Sequence, residues 1–303
     1  MPNTLAHFGV QGPLTRATGV YVDAKWILLG CVLPDVPWIA RRGIAALAGG
    51  AVDPVTLRLY AIVQASLLFS LVLAGALALL SARPRVVFGV LGAGALLHLL
   101  LDALQTKWGN GVHLFAPASW ETLNVGLFWP ESVATVALTL AGIGYLAWEW
   151  RRGPSARIPL APGPRGAALA LLLAVLYLGA PPLFFGDVLA SGSHSLASLA
   201  EVEERPGRSV ELDRVGYTPG RAGEGSGTLT VTGGELRAAG RLPGGPATIS
   251  VRGVFADRRT LRVTDYHVHE AGGRALASGL GLALLAAAWA RDLARTDTEG
   301  TGR

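Results

Sequence analysis

Apolar positions along this chain gather into long runs rather than into the short periods of a soluble core. Residues 57–80, 86–104, 132–150 and 166–186 are strongly hydrophobic, and 275–290 form a shorter continuous run. A helix crosses the hydrocarbon core with about 20 mostly apolar residues, so each of the five is read as a span. Two weaker stretches come first, 3–16 and 24–40, the second interrupted by Pro34, Asp35 and Pro37. They are expected to form a short or re-entrant helical pair packed against the spans, because irregular backbone at membrane depth needs protein or water around it.

The pattern changes at residue 191. Apolar runs stop, and turn formers such as Gly223, Gly225, Gly233, Gly234, Gly244 and Gly245 separate alternating stretches at 228–232, 235–242, 248–255 and 260–269. Period-two alternation bounded by Gly, Asp and Pro predicts antiparallel strands. Several short strands in so small a segment suit a small barrel or sandwich, and 249–269 look like a hairpin of an OB-type barrel. The expected fold is therefore mainly α: a polytopic transmembrane helix bundle with a small antiparallel β domain, OB-like in its last hairpin, inserted before the last helix. Its parts are residues 1–186, the β-rich 187–274, and a C-terminal helix and tail over 275–303.

Composition supports the membrane reading. Only 16% of the 303 residues are charged and mean hydropathy is +0.43, whereas soluble domains carry about 25% charged residues. The formal charge of +5 comes mostly from arginines between apolar runs, which suits membrane flanks and argues against nucleic acid as a partner. Arg83 and Arg85, then Arg151, Arg152, Arg157 and Arg165, then Arg291 and Arg295 fall on one side if each span crosses once. That side is expected to be cytoplasmic, with 105–131 and 187–274 in the periplasm of a bacterial inner membrane; Arg41 and Arg42 run against this assignment. The N-terminal MPNTLAHFG lacks the basic start of a cleavable signal peptide, so insertion is expected from the internal segments. The single cysteine, Cys31, excludes an intrachain disulfide and a cysteine-based zinc site.

Ionisable residues within apolar runs are costly, about 2.5–3.5 kcal/mol each at a helix centre on insertion scales, and so they carry the candidate chemistry. His98 and Asp102 in HLLLDALQTKWGNGVHLFAP are four residues apart, on one helix face. They could ligate a metal together, or form a buried hydrogen-bonded pair that fixes helix packing. Lys107, Asn110 and His113 follow in a glycine-containing loop that can fold back over that helix end. Asp35 sits between two prolines in GCVLPDVPW, either as a carboxylate exposed at a helix break or as part of an interfacial turn. His7 lies on a weakly apolar helix, where packing competes with ligation. Asp23 and Lys25 read as a surface pair, Gln64 and Ser66 as interhelical hydrogen-bonding groups, and Trp120, Phe128 and Trp129 as an interfacial belt. His267 and His269 face one side of a strand and are expected to be exposed to solvent; His194, in a Ser/Gly linker, takes no role. Imidazoles and carboxylates without a thiolate suit Zn²⁺, Mn²⁺ or Fe²⁺.

The same residues resemble the bacterial membrane-bound, metal-dependent hydrolase family that includes the LexA-binding, inner-membrane-associated hydrolases. The likeness covers about residues 3–150 and rests on Ala6-His7-Phe8-Gly9, on LLGCVLPDVPW and, most specifically, on HLLLDALQTKWGNGVHLFAP. It implies His7, Asp35, His98 and Asp102 as metal ligands or their supports, with zinc first and manganese or iron next. Asp102, Lys107 and His113 are then the catalytic candidates, and a phosphoester or lipid-like molecule the substrate class. The family's HRGxTHS-like segment is replaced here by YAIVQASLLFS, with Tyr60 and Ala65 where its two histidines are expected. Pro37 stands where a second Asp often follows Asp35. The rival expectation is a non-catalytic membrane scaffold whose β domain binds a protein partner.

Overall fold

The structure is a computed structural model describing residues 3–152, 157–192, 195–220, 225–270 and 272–300, with side chains described as far as Asp292. His194, Gly223 and the side chain of Arg295 lie outside the described residues.

Helix α1 (Thr4–Ala17) begins where the Asn3 side chain accepts the Ala6 N–H at 3.0 Å, an N-cap. At 14 residues it is about 21 Å long, too short to cross a bilayer upright. Helix α2 (Ala24–Gly30) gives way to a single 3-10 turn, Leu33–Asp35, and then to α3 (Val36–Ala48). Pro34 and Pro37 bracket this break, each near the start of a helical segment, where a missing N–H is tolerated. Helix α4 (Pro54–Gln64) is capped by the Asp53 carboxylate and α5 (Leu67–Leu79) by the Ser66 hydroxyl. Then come α6 (Pro84–Ala103), α7 (Val133–Arg152), α8 (Pro164–Gly179), a 3-10 turn Pro181–Phe184, α9 (Phe185–Ala190), α10 (Ser195–Ala200) and, after the barrel, α11 (Gly273–Gly300).

Among the described residues, three helices are long and apolar enough to cross a membrane: α6, α7 and the Gly273–Asp292 part of α11. Two expected spans are not straight. The run 57–80 bends by 73° between α4 and α5, and the run from 166 bends by 43° before Pro181–Ala190. The first break is fixed by Ser66, whose hydroxyl accepts Phe69 N–H and starts a new helix; the second by the Pro181-Pro182 pair. The outer faces of α7, α8 and α11 expose Leu140, Ile143, Leu171, Val175, Leu276 and Leu280, an apolar surface of the kind that marks a membrane or partner contact.

Small residues bring the helices close, as in membrane bundles. Helix α1 packs on α7 where Gly9 and Gly142 meet the facing backbone; a Cβ on Gly142 would collide with the Leu5 carbonyl. Helix α2 crosses α6 at Gly30 and Gly94, where a Cβ on Gly94 would lie 2.9 Å from Gly30 Cα. At one end of the bundle the basic loops come together. Ser81 bridges to Leu160, and Arg157 reaches Asp292 at 3.5 Å. Arg16 pairs with Glu149 at 2.5 and 2.9 Å. Lys25, expected on the surface, is only 2% exposed and is held by Asp292 and, at 3.2 Å, by Asp23.

At the opposite end stands the barrel. Strands β1 (Ser209–Pro219), β2 (Ser226–Val231), β3 (Gly234–Gly240), β4 (Ala247–Phe255) and β5 (Thr260–His269) close in the order β1-β2-β3-β5-β4. The expectation of a wholly antiparallel domain is corrected at one seam: β3 and β5 run parallel, as closure of this strand order demands. The core is filled by Leu212, Leu229, Leu236, Ile249, Val251, Phe255 and Leu261. The barrel rests on the loop 104–132: Gly109 N–H donates to Glu211 Oε2 at 2.9 Å, and the Arg252 guanidinium lies 4.3 Å from the Trp108 ring centroid. Gly109 has φ +60°, and a Cβ there would strike the Glu211 carbonyl, so only glycine fits that contact.

Candidate metal centre

Helix α6 carries His98 and Asp102 one turn apart, buried at 0% and 3% exposure. Helix α1 brings His7, also fully buried, against them, and the 3-10 turn brings Asp35. His7 Nε2 stands 3.6 Å from Asp102 Oδ1, and His98 Nε2 stands 3.7 Å from Asp35 Oδ1 and 4.0 Å from Asp102 Oδ2. Among the described residues, none of His7 Nε2, His98 Nε2, Asp35 Oδ1 and Asp102 Oδ1 has a hydrogen-bond partner. These separations are too long for hydrogen bonds. They are close to the roughly 3.4 Å between donors set tetrahedrally around an ion at 2.0–2.2 Å. One atom each of His7, His98 and Asp102 fall within 4.8 Å of one another, so the group could hold a metal.

The far sides of both imidazoles are occupied. His98 Nδ1 lies 2.6 Å from the Cys31 carbonyl oxygen. A carbonyl only accepts, so Nδ1 carries the proton and Nε2 is left with its lone pair, the arrangement of a ligating histidine. The Gly30–Gly94 crossing, at the end of α2, puts that carbonyl within reach. The buried Gln11 amide lies 3.3 Å from His7 Nδ1. In the orientation that satisfies both of its ends it donates to Gly94 O at 3.1 Å and accepts from His98 N–H at 3.2 Å. Its oxygen then faces His7 Nδ1, which assigns that ring the same protonation. Gln11 carried no signal in the sequence beyond standing one turn after His7.

Lys107, buried at 4% exposure, places Nζ 2.9 Å from Asp102 Oδ2 and leaves Oδ1 toward the imidazoles. The alternative of a direct His98–Asp102 hydrogen bond is not what forms, since His98 Nε2 and Asp102 Oδ2 are 4.0 Å apart. A small cavity of about 40 Å³ adjoins the cluster, lined by Pro34, Trp38, Ala65, His98, Asp102 and His113 among others, with room for a few waters. Burial pushes the His113 imidazole down to about 4, so it is neutral near pH 7.

The two positions that depart from the family pattern separate here. Ala65 lies at the α4–α5 break on the cavity wall, whereas Tyr60 packs edge-on against Phe185 at 5.2 Å. Gln64 donates to the Tyr177 carbonyl at 3.0 Å, an interhelical contact of the kind expected.

A second group that could hold a metal lies under the barrel: Glu131, His267 and His269. The expectation that both strand histidines face solvent is corrected for His269, which is 6% exposed and bonded to Glu131 Oε1 at 2.8 Å. Trp120 is 6% exposed against Phe184, away from the expected belt, and Trp129 stacks on His267 at 3.7 Å. The sequence placed Glu131 only as a flank of an aromatic loop, because its partners lie far along the chain. Comparison of the chain with protein-family models, curated proteins and solved structures finds no match.

Proposed function

We propose that this protein is a membrane-embedded, metal-dependent hydrolase of the kind its N-terminal motifs resemble, acting on a phosphoester or lipid-like substrate. The observation that carries the reading is the convergence of three buried ligand atoms, from His7, His98 and Asp102, within 4.8 Å of one another, with Asp35 Oδ1 beside His98 at 3.7 Å but outside that group. Burying such groups unpaired is expensive, and one divalent cation, zinc before manganese or iron, would satisfy His7, His98 and Asp102 together, with Asp35 left as a support beside His98. Two imidazoles with a carboxylate suit these ions. When bound, such an ion supplies Lewis acidity to water and to a substrate oxygen.

The chain's own groups complete the site. Lys107 has three donors, one given to Asp102, so the others can meet a substrate anion. His113, neutral near pH 7, can take or return a proton at the cavity wall. Asp102 holds Lys107 through Oδ2 while Oδ1 serves the ligand cluster. The basic loops joined at the far end favour a cytoplasmic location for that end, which puts the cavity and barrel on the periplasmic side of a bacterial inner membrane. Arg41, Arg42 and Arg58 then belong to a helical hairpin beneath the barrel, where Arg58 bonds Thr232 at 2.7 Å, rather than to a cytoplasmic loop.

Ala65 on the cavity wall supports a second reading, a scaffold that keeps the cluster but not catalysis, with the barrel, OB-like in its strand order, binding a protein partner. Metal analysis of detergent-purified protein, with hydrolysis of p-nitrophenyl phosphate and of a phospholipid in mixed micelles, separates the two. The hydrolase reading expects stoichiometric metal and activity lost in Asp102→Asn. Metal bound without activity on any phosphoester favours the scaffold, and a zinc-reconstituted protein that retains no ion overturns both uses of the site.

A further inference from the structure

The Glu131, His267 and His269 cluster sits where strand β5 meets the last residues of the loop 104–132, just ahead of α7. His267 and His269 are two apart on β5 and so project to one side; Trp129 stacks on the His267 ring, 6° from parallel, and fixes its direction. His267 Nε2 stands 3.7 Å from Glu131 Oε2, and among the described residues neither atom has a hydrogen-bond partner. His269 Nδ1 stands 2.8 Å from Glu131 Oε1.

The proton positions around Ser250 decide what His269 can be. Ser250 Oγ lies 3.0 Å from Asp213 Oδ1, a carboxylate that only accepts, so the single hydroxyl proton goes there. The same oxygen accepts the Arg214 N–H at 3.2 Å, and His269 Nε2 at 2.8 Å must therefore donate to it. With its proton on Nε2, a neutral His269 turns the Nδ1 lone pair toward Glu131 Oε1, itself an acceptor. Lone pairs do not face each other at that distance unless a cation lies between them. A proton, making an imidazolium, would serve Nδ1 alone and leave Glu131 Oε2 and His267 Nε2 unsatisfied. A divalent ion would serve all three once Nδ1 and Oε1 part from 2.8 Å toward the spacing of metal donors.

The Ser250–His269–Glu131 chain also has the connectivity of a nucleophilic triad, but Ser250 is 0% exposed and its proton belongs to Asp213, so no substrate reaches a poised hydroxyl. Arg214 Nη2 stands 3.6 Å from Glu131 Oε1, which leaves Oε2 as the oxygen turned to His267.

We propose that Glu131, His267 and His269 form a second divalent-metal site, suited to zinc, that ties the β barrel to the loop walling the first site. Imidazole and carboxylate donors select borderline ions over calcium or magnesium. The Asp213–Ser250 pair is the outer support that orients His269. Because its ligands come from the loop and from β5, binding would lock the barrel onto the loop that also carries Lys107 and His113.

The test uses the full chain in detergent, stripped with a chelator, re-equilibrated with zinc and freed of loose ion on a sizing column, then measured for bound zinc and for hydrogen exchange. Wild type should retain two equivalents; His267→Ala, at a half-exposed site, and the near-isosteric Glu131→Gln should each retain one. His98→Ala should lose the other equivalent, and the His98→Ala/His267→Ala double variant should retain none. Zinc should slow exchange across β5 and 104–132 in wild type and in His98→Ala, but not in His267→Ala. Undiminished zinc in both His267→Ala and Glu131→Gln, or exchange unaltered by zinc in wild type, overturns the proposal. Full zinc content in His98→Ala with loss in His267→Ala would instead sink the hydrolase centre and leave this site standing.

Discussion

The His7 and His98 imidazoles lie face to face, their centroids 3.8 Å apart and their planes 2° from parallel. Both rings turn Nε2 toward the Asp102 carboxylate, at 3.6 Å from His7 and 4.0 Å from His98, so the stack presents two imidazole nitrogens to one point. Gln11 sets that direction for His7 from the other side of the ring. Removing such an outer support lowers metal affinity by about 10–100-fold. Gln11→Ala should show this loss in competition with a chromophoric chelator, while Leu14→Ala, on the exposed face of the same helix, should not. A Gln11→Ala affinity within twofold of wild type would mean that the stack orients itself.

Lys107 balances the buried Asp102 carboxylate at 2.9 Å. Breaking a buried pair by removing one partner destabilises by about 3–5 kcal/mol, because the remaining charge is uncompensated. Lys107→Met should therefore lower the thermal midpoint of the metal-free protein clearly. A cation bound at Asp102 replaces the missing charge, and binding to the folded state alone raises stability. Zinc should thus raise the midpoint of Lys107→Met by more than it raises that of wild type. Equal gains would place the bound ion away from Asp102.

Ala65 ends α4 and faces the same cavity as His98 and Asp102. An imidazole there would enter a space already walled by ligands rather than displace packed core. Ala65→His should tighten zinc binding by about tenfold or more, since one added inner ligand outweighs an outer support worth 10–100-fold. Weaker binding would show that the added ring cannot turn toward the cluster. Tyr60→His, packed against Phe185, should leave affinity unchanged.

Much of this architecture was legible in the sequence because the bilayer and the barrel core impose patterns along the chain. Helices α6 and α7 appear as uniform apolar runs, and β4 and β5 as alternating ones. The missed features share one cause: a local contact overrides the pattern. Strand β1 shifts register between Leu212 and Val215, around Arg214 at φ +51°, so its alternation changes phase midway. The 57–80 run conceals a 73° bend because a single serine cap interrupts it without changing its hydropathy. At the site, His7, Asp35, His98 and Asp102 were visible as ionisable residues in apolar surroundings. Gln11 and the Cys31 carbonyl were not, since their roles depend on the Gly30–Gly94 crossing. Glu131 with His269 was invisible for a simpler reason, being joined only by tertiary structure.

His113 offers a pH test away from the spanning helices. Burial holds its imidazole down to about 4 in the folded protein, against an ordinary value near 6.5 in the unfolded chain. Between those values the unfolded state binds a proton that the folded state refuses, so stability rises with pH. The sign follows: acidification from about pH 6.5 toward 4 should destabilise the fold, by up to about 3 kcal/mol from this residue, with no further change below 4. His113→Gln removes the titrating group and leaves the other ionisable residues in place. The midpoint difference between pH 7.5 and pH 5 should therefore be larger in wild type than in His113→Gln, measured for both in the same detergent and without metal. An equal difference in the two proteins would show that His113 accepts a proton in place, and the cavity wall would then be wet enough to solvate a charge.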